Sequence, residues 1–394
     1  MTDPQATTET RFFDFDDPEN PLPLRVGGAL GRFTIAYETY GRMNEDRTNV
    51  VLLFHAMTGS QHASGLNREV PGTGSRWTEE NHNGWWDRFI GPGKAIDTRR
   101  YCVLCANYLG GCYGSTGPAS INPSTGKPWG SSFPVLRMSD IVESQVRLLD
   151  HLRIPRLYAV VGSSLGGFLS LLLAARHPAR VDRVITIGTG LETTTHQRIL
   201  NFEQITAIES DPNFRRGDYY NDLPPHLGLT LARMIAHKMF VSLDSLRLRA
   251  RKEVARISQP HGWYEMNNVV ESYMLYQGEK FVRRFDANTY LRILDAWQWF
   301  DLIAEAGAEN LDDLFQRYRD QEFLVFSIDS DLCFPPSEQA KLVHHLKKAR
   351  VATQWITVHS DKGHDAFLLE PRLFSPHLRQ ILAHRVRTTE PTSR

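Results

Sequence analysis

Short apolar runs alternate with amphipathic stretches along most of this chain. The apolar runs have the length, the β-branched content and the flanking turn residues of buried strands. They lie at 49–54, 100–105, 157–161, 184–187, 322–328 and 353–358. Apolar residues at helical spacing occupy 139–152, 168–175, 336–348 and 371–385. Strands that alternate with helices predict an α/β fold with a mostly parallel, doubly wound sheet.

Two parts of the chain depart from this alternation. Near the start, the residues at 24–26 and 32–40 predict strands of an antiparallel beginning to the sheet. From 196 to 309 the pattern is mostly helical, without a clear strand, which indicates an inserted cap. An insertion there would cover the carboxyl edge of the sheet, where ligands bind in such folds.

These patterns predict a domain organisation with one core and one insertion. The core comprises 21–195 and 310–386, and the helical cap or lid comprises 196–309. The polar segments 1–20 and 387–394 are expected to be disordered.

Charge and hydropathy narrow the class of protein. The 394 residues include 45 basic and 45 acidic side chains, so the formal net charge is zero. Without a basic stripe, nucleic acid and acidic membrane surfaces are not expected as partners. The acidic N-terminus lacks the apolar core of a signal peptide, and no apolar stretch approaches the length of a membrane span. A cytoplasmic enzyme is the expectation.

The cysteines and one basic cluster are further candidates for binding sites. Four cysteines are too few for a disulfide scaffold. Cys102 and Cys105 have a redox or zinc spacing but lie in a predicted strand, where residues three apart face opposite sides. No second pair completes a metal site, so we expect buried thiols and no bound metal. The basic stretch 247–256 is interpreted as a solvated helix face, with a role near a coenzyme A phosphate as the alternative.

The segment Gly162-Ser163-Ser164-Leu165-Gly166 carries the strongest chemical signal. A predicted strand leads into this Gly-x-Ser-x-Gly turn, and a predicted helix follows at once. That context is typical of a nucleophile elbow, in which neighbouring glycines let strand and helix approach closely while the serine hydroxyl projects. Ser164 is therefore the candidate nucleophile, and a helix N-cap is its structural alternative.

A base and an acid should follow the last two strands of the sheet, because such triads run in the order serine, acid, histidine. After 353–358, His364 lies in a loop and is the expected base, with His359 at the strand end as its rival. After 322–328, Asp329 and Asp331 could each orient the histidine, and the pattern alone leaves both open.

An oxyanion hole normally takes one backbone N–H from the residue after the nucleophile and one from a loop after an earlier strand. Leu165 is the first of these positions. The loop after 49–54 reads His55-Ala56-Met57-Thr58-Gly59, which makes Met57 the second and His55 a structural neighbour.

Four motifs together resemble the homoserine O-acetyltransferase family of the α/β-hydrolase superfamily. They are His55-Ala56-Met57-Thr58-Gly59, the loop 109–118 with its Gly-Ser-Thr-Gly-Pro end, the serine motif itself, and Gly363-His364-Asp365-Ala366-Phe367. The resemblance extends from about residue 24 to 385. It implies the α/β-hydrolase fold, and it implies that the acid is Asp331.

The resemblance also assigns substrate contacts and an activity. It implies that Arg233 on a cap helix binds the substrate carboxylate and that Asp365 contacts the substrate amino group. An arginine in a mostly apolar helix independently predicts a carboxylate partner, either a ligand or an internal ion pair. The implied activity is acetyl transfer from acetyl-CoA, a co-substrate, to L-homoserine through an acyl-serine, with no permanently bound cofactor.

The donor and the acceptor are expectations of the same resemblance, whereas the assembly is predicted from the cap helices themselves. Leu332 stands after the acid where succinyl-CoA users often carry Trp, which favours acetyl-CoA. L-serine acylation and carboxylesterase activity on the same triad are the alternatives. Apolar residues on more than one side of several cap helices predict a homodimer formed through the cap.

Overall fold

A computed structural model describes residues 7–252, 263–264 and 266–383. The tail 387–394, the end of the predicted terminal helix and part of the basic stretch 247–256 lie outside the described residues. The chain forms an eight-stranded sheet flanked by helices. Its strands are Arg11–Asp16 (β1), Arg32–Tyr40 (β2), Val50–Phe54 (β3), Cys102–Ala106 (β4), Ala159–Ser163 (β5), Arg183–Ile187 (β6), Glu322–Ile328 (β7) and Ala352–Val358 (β8).

The strand order is β1-β2-β4-β3-β5-β6-β7-β8. The pairs β1–β2 and β2–β4 are antiparallel, whereas β4, β3, β5, β6, β7 and β8 run parallel. The mostly parallel sheet predicted from the alternation is confirmed. Its parallel strands all end at one edge, which is where the loops that follow β3, β5, β6, β7 and β8 meet.

Helices cover the sheet and fill the predicted insertion. The core helices are Met138–His151 (α1) and Leu165–Arg176 (α2) before the insertion. Between β6 and β7 the described chain is helical and contains Thr195–Glu209 (α3), His226–Phe240 (α4), Leu243–Lys252 (α5), Val269–Val282 (α6), Ala287–Gln298 (α7), Leu302–Ala306 (α8) and Leu311–Gln316 (α9). The final helices are Pro336–Lys348 (α10), Ala366–Leu369 (α11) and Pro371–Ala383 (α12).

The N-terminal segment differs from the sequence expectation. Residues 11–16, placed in a disordered stretch, form β1 because they pair along their whole length with β2. Phe13 is buried in the core, and Phe15 stacks on Phe33 with ring centroids 4.7 Å apart. The strand predicted at 24–26 is also wrong: a two-residue ribbon, Leu22–Pro23 with Ala29–Leu30, turns the chain there.

The central strands are buried on both faces of the sheet. Cys102 belongs to the apolar cluster on one face and Cys105 to the cluster on the other, as the strand periodicity predicted. Two-sided burial explains why these strands are continuous apolar runs in the sequence. Among the described residues, no helix is both long and apolar enough to cross a membrane.

A buried polar cluster fixes the loop after β3 to the sheet. The carboxylate of Glu38 on β2 accepts hydrogen bonds from Tyr40, Thr10 and Asn67, and it lies 2.8 Å from Nδ1 of His62. Nε2 of His62 faces the carbonyl oxygen of His82 at 3.0 Å, so both ring nitrogens face acceptors. Burial raises the pKa of Glu38, but the hydrogen bond and charge of His62, together with the hydrogen bonds from Tyr40 and Thr10, hold that pKa below its ordinary value.

Candidate active site

Ser164 occupies a sharp turn between β5 and α2. Its backbone has φ 57° and ψ −128°, a strained conformation for a residue with a side chain. A Cβ at Gly162 would meet the backbone of Gly166, and a Cβ at Gly166 would meet the carbonyl oxygen of Phe54. The strand, turn and helix predicted around Ser164 are therefore confirmed, and the glycines act as expected by permitting close approach.

Asp331 and His364 form a buried pair beyond the ends of β7 and β8. Nδ1 of His364 lies 2.6 Å from Oδ2 of Asp331. The other carboxylate oxygen accepts hydrogen bonds from the backbone N–H groups of Cys333 and Phe334, both at 2.8 Å. The acid is thus fixed by its own loop and orients the imidazole, while Nε2 of His364 has no hydrogen-bond partner in the described part of the chain.

The electrostatics of this pair favour an imidazolium. Burial alone lowers the pKa of His364, but the charge of Asp331 and the hydrogen bond to it raise that pKa above its ordinary value of 6.5. Asp365 adds to the same effect. A histidine in this setting can accept a proton and be stabilised once it carries it.

The rival residues form a different pair. Nδ1 of His359 lies 2.9 Å from Oδ2 of Asp329, and Ser360 donates its backbone N–H to the same carboxylate. The side chains of His359 and Asp329 are 83% and 42% exposed. The two candidate histidines and two candidate acids are therefore sorted into one buried pair and one surface pair.

Gly188, at the end of β6, joins the serine turn to the buried pair. Ser164 donates its N–H to the carbonyl oxygen of Ile187, the residue before Gly188, at 2.9 Å. A Cβ at Gly188 would lie 2.9 Å from Oδ2 of Asp331 and 3.2 Å from Cε1 of His364, and its φ is +54°. Both the left-handed conformation and the missing side chain are required at this position. Ser164 and the Asp331–His364 pair thus meet around one peptide.

The loop after β3 lies beside the N-terminus of α2. A Cβ at Gly166 would contact the carbonyl oxygens of Phe54 and His55, so the two segments are in direct contact. In the described chain, the N–H groups of Met57 and Leu165 donate to no protein acceptor. Two unused donors on adjacent segments at the serine turn match the requirements of an oxyanion hole.

Arg233 projects from α4 of the cap toward this edge of the sheet. Its guanidinium lies over the rings of Phe281, at 4.8 Å from the centroid, and Phe240, at 5.7 Å. Phe240 in turn contacts the ring of His364, with centroids 5.9 Å apart. Among the described residues the guanidinium makes no ion pair and no hydrogen bond. Burial and the charge of Arg284 lower its pKa, so an anion is favoured beside it.

Asp365 places one negative charge near this arginine. It follows His364 directly, and burial raises its pKa against the opposing charges of His364 and Arg233. Arg233 and Asp365 are partly accessible, unlike the buried Ser164 and His364. The structure therefore places a cation and an anion on the accessible side of the site that contains Ser164 and His364.

Sequence reasoning missed two residues of this site. Gly188 had a weak signal, a glycine directly after an apolar strand. Arg284 had no sequence signal, because it lies in the cap, far along the chain from the motifs. Its Nη1 donates to the carbonyl oxygen of Thr58 at 3.3 Å and to the hydroxyl of Tyr113 at 3.0 Å. It therefore connects the cap to the loop that contains Met57. Within the described residues, no cluster of three or more metal-ligating side chains occurs.

The chain is similar to known proteins over most of its length. A family model described as the alpha/beta hydrolase fold matches residues 49–371. The chain is 42% identical to a homoserine O-acetyltransferase of Rhodospirillum rubrum over 92% of its own length and 90% of that protein. It is 39% identical to a homoserine O-succinyltransferase of Azoarcus sp. over 94% of its length and 96% of that protein.

Two solved structures resemble the whole chain. One is homoserine O-acetyltransferase from Bacillus anthracis, with a TM-score of 0.83, 26% identity, and coverage of 97% of this chain and 99% of that one. The other is esterase E22, with a TM-score of 0.83, 25% identity, and coverage of 95% and 100%. One fold thus serves proteins named for acyl transfer and for ester hydrolysis.

Proposed function

Because the chain belongs to the homoserine O-acetyltransferase family of the α/β-hydrolase superfamily, we propose that it transfers an acyl group from an acyl-CoA thioester to the hydroxyl of L-homoserine. The placement of Arg233 and Asp365 near His364, on the accessible side of the site, is the observation that carries this proposal. An amino-acid acceptor brings one carboxylate and one ammonium group, and the site offers one unpaired guanidinium and one carboxylate. A simple ester substrate needs neither charge.

The first half-reaction forms an acyl-enzyme. The hydroxyl oxygen of Ser164 attacks the thioester carbon while Nε2 of His364 takes its proton, and Asp331 stabilises the resulting imidazolium. The N–H groups of Met57 and Leu165 bind the tetrahedral oxyanion, and one such donor is typically worth about 3 kcal/mol of barrier. The carbon–sulfur bond then breaks, and His364 returns the proton to the coenzyme A thiolate.

The second half-reaction transfers the acyl group to the acceptor. Homoserine binds with its carboxylate on Arg233 and its ammonium group near Asp365. His364 removes the proton of the γ-hydroxyl as its oxygen attacks the acyl carbon, and the ester bond to Ser164 breaks. Water must be kept from the acyl-enzyme. Phe240 of the cap contacts the ring of His364, and Arg233 lies over Phe240, which supports that role for the cap.

The pH dependence of kcat/KM should report the Asp331–His364 pair. The base must be neutral to act, so a pKa raised above 6.5 predicts that activity falls as the pH drops through a value above 6.5. In Asp331→Asn, burial dominates the pKa of His364, so the acidic limb should move to lower pH while kcat falls about 10⁴-fold. The surface variant Asp329→Asn is the control. An unchanged limb in Asp331→Asn would contradict the assignment.

We propose acetyl-CoA as the donor on the basis of Leu332, which follows the acid and is 48% exposed. The product would be O-acetylhomoserine, an intermediate of methionine biosynthesis, and no permanently bound cofactor is required. A reducing compartment, the cytoplasm, is proposed because all four cysteines are unpaired buried thiols.

We also propose a homodimer formed through the cap. Helices α4 and α6 enclose an apolar groove of about 570 Å³. Leu227 and Leu231 on its rim are 61% and 47% exposed. Lys238 and Glu271 line the same groove. A two-fold contact would place Lys238 of each copy against Glu271 of the other.

Sedimentation velocity tests the proposed dimer. Leu231→Glu places a charge in the groove and should convert the dimer to a monomer, because a buried unpaired charge is costly. Ile121→Glu, at another exposed apolar residue on a core loop, should leave the dimer intact. A wild-type monomer, or a dimer that survives Leu231→Glu, would contradict the proposed interface.

The proposed activity is tested by thiol release from acetyl-CoA and from succinyl-CoA, each with L-homoserine, L-serine or no acceptor. Release that depends on homoserine and prefers acetyl-CoA is the expected result. Dependence on serine, or a preference for succinyl-CoA, would keep the acyl-enzyme and change the substrate. Equal release without an acceptor would mean a thioesterase or esterase and would overturn the proposal.

A further inference from the structure

The peptide that joins Ala56 to Met57 is held on one side only. Its carbonyl oxygen, that of Ala56, lies 2.7 Å from Nδ1 of His55 and accepts the N–H of Gly59 at 2.9 Å. Its N–H, that of Met57, donates to no acceptor in the described chain. A trans peptide is planar, so its C=O and N–H point in opposite directions. Fixing the carbonyl therefore fixes the direction of the free N–H.

The tautomer of His55 follows from its partner. A carbonyl oxygen can only accept, so the proton of the neutral ring lies on Nδ1. Burial lowers the pKa of His55 to about 4, and the ring is therefore neutral near neutral pH. The contact between His55 and Ala56 is a hydrogen bond that the ring donates throughout the range in which a serine–histidine site works.

The ring of His55 has little freedom to leave this position. It stacks on Tyr108, with centroids 3.7 Å apart and planes 21° from parallel. The hydroxyl of Tyr108 donates to the carbonyl oxygen of His55 itself. A Cβ at Gly59 would lie 2.8 Å from Cβ of His55, so even a methyl group there would press on the side chain. Packing on both sides holds Nδ1 against the carbonyl of Ala56.

We propose that His55 is a positioning residue for acyl transfer: its Nδ1–H holds the carbonyl of Ala56 and so aims the N–H of Met57 at the oxyanion. This inference rests on the proposed function, in which Met57 supplies one oxyanion donor. His55 itself touches no reacting atom. It acts through one peptide plane, beside the N-terminus of α2, where Leu165 supplies the second donor.

Two variants separate the hydrogen bond from the packing. His55→Phe keeps a ring on Tyr108 and removes the donor. His55→Asn removes the ring, but its side-chain nitrogen stands at the position of Nδ1 and can donate to the same carbonyl. If the phenylalanine variant does not fold, His55→Leu replaces it, because leucine matches asparagine in shape and lacks the donor.

The probe is methylboronic acid, which adds to a serine oxygen and presents a tetrahedral oxygen to the oxyanion hole. In His55→Phe its affinity and the rate of acylation by acetyl-CoA should both fall at least tenfold, and by less than the 10²–10³-fold lost when a whole donor is removed. KM for homoserine should stay within about twofold, because the acceptor contacts lie elsewhere. His55→Asn should remain within about threefold of wild type in both readings.

Equal losses in the phenylalanine and asparagine variants would assign His55 to packing alone and overturn the proposal. Wild-type boronate affinity in His55→Phe would overturn it as well. Neither result would affect the proposed function. If wild-type protein itself formed no boronate adduct and released no thiol from acetyl-CoA, the serine mechanism would be wrong instead.

Discussion

Replacing Ser164 with alanine is expected to lower kcat for acyl transfer about 10⁶-fold, the size of loss seen when a catalytic serine is removed from a triad. The reason is chemical: without the hydroxyl no acyl-enzyme can form, and the buried Asp331–His364 pair has no nucleophile to activate. Thiol release from acetyl-CoA in the presence of homoserine measures this loss directly.

The neighbouring serine offers a matched control. Ser163 is also buried and ends β5, but it precedes the strained turn, so Ser163→Ala should retain activity within about tenfold of wild type. Both variants remove one hydroxyl from the same strand end. Substantial activity in Ser164→Ala, or an acetylated protein in that variant, would refute the nucleophile assignment.

Replacing Arg233 with methionine is expected to uncouple the two half-reactions. The value of kcat/KM for homoserine should fall about 10²-fold, since a bidentate charge-assisted contact to the acceptor carboxylate is lost. Acyl-enzyme formation from acetyl-CoA should change by no more than about threefold, because the guanidinium does not contact Ser164 in the proposed mechanism. Single-turnover acylation and steady-state transfer measure the two halves separately.

An exposed arginine of the same cap serves as the control for that variant. Arg283 is solvent-exposed at the end of α6, so Arg283→Met should leave both half-reactions unchanged. If Arg233→Met left the homoserine profile intact, the guanidinium would have no role in acceptor binding. If it abolished acylation as well, the arginine would act on the serine site rather than on the acceptor.

Hydrophobic patterning was sufficient to predict the central strands of the sheet because they are buried on both faces. The strands at 322–328 and 32–40 were predicted with the bounds that the structure has. The prediction was wrong at 11–16, where a strand of alternating polar and aromatic residues sits at the sheet edge beside β2. Its partner lies sixteen or more residues away along the chain, and a local pattern carries no sign of that pairing.

Only part of the site could be predicted from the order of the strands along the chain. The positions after the predicted strands indicated Ser164, His364 and two candidate acids, but Asp329 and Asp331 stand two residues apart in one loop. The choice between them depends on which carboxylate the backbone of 333 and 334 holds against His364. That is a property of the folded loop, and the local pattern of strand and turn residues does not decide it without the family resemblance.

Intact mass measured at short times after mixing tests whether the reaction passes through an acylated Ser164. We expect that acetyl-CoA alone adds one acetyl group to Ser164 with release of coenzyme A, and that L-homoserine then removes it as O-acetylhomoserine much faster than water does. Loss of the adduct at the same rate with and without homoserine would contradict acyl transfer to this acceptor. Transfer that requires both substrates before any thiol is released would contradict the acylated Ser164.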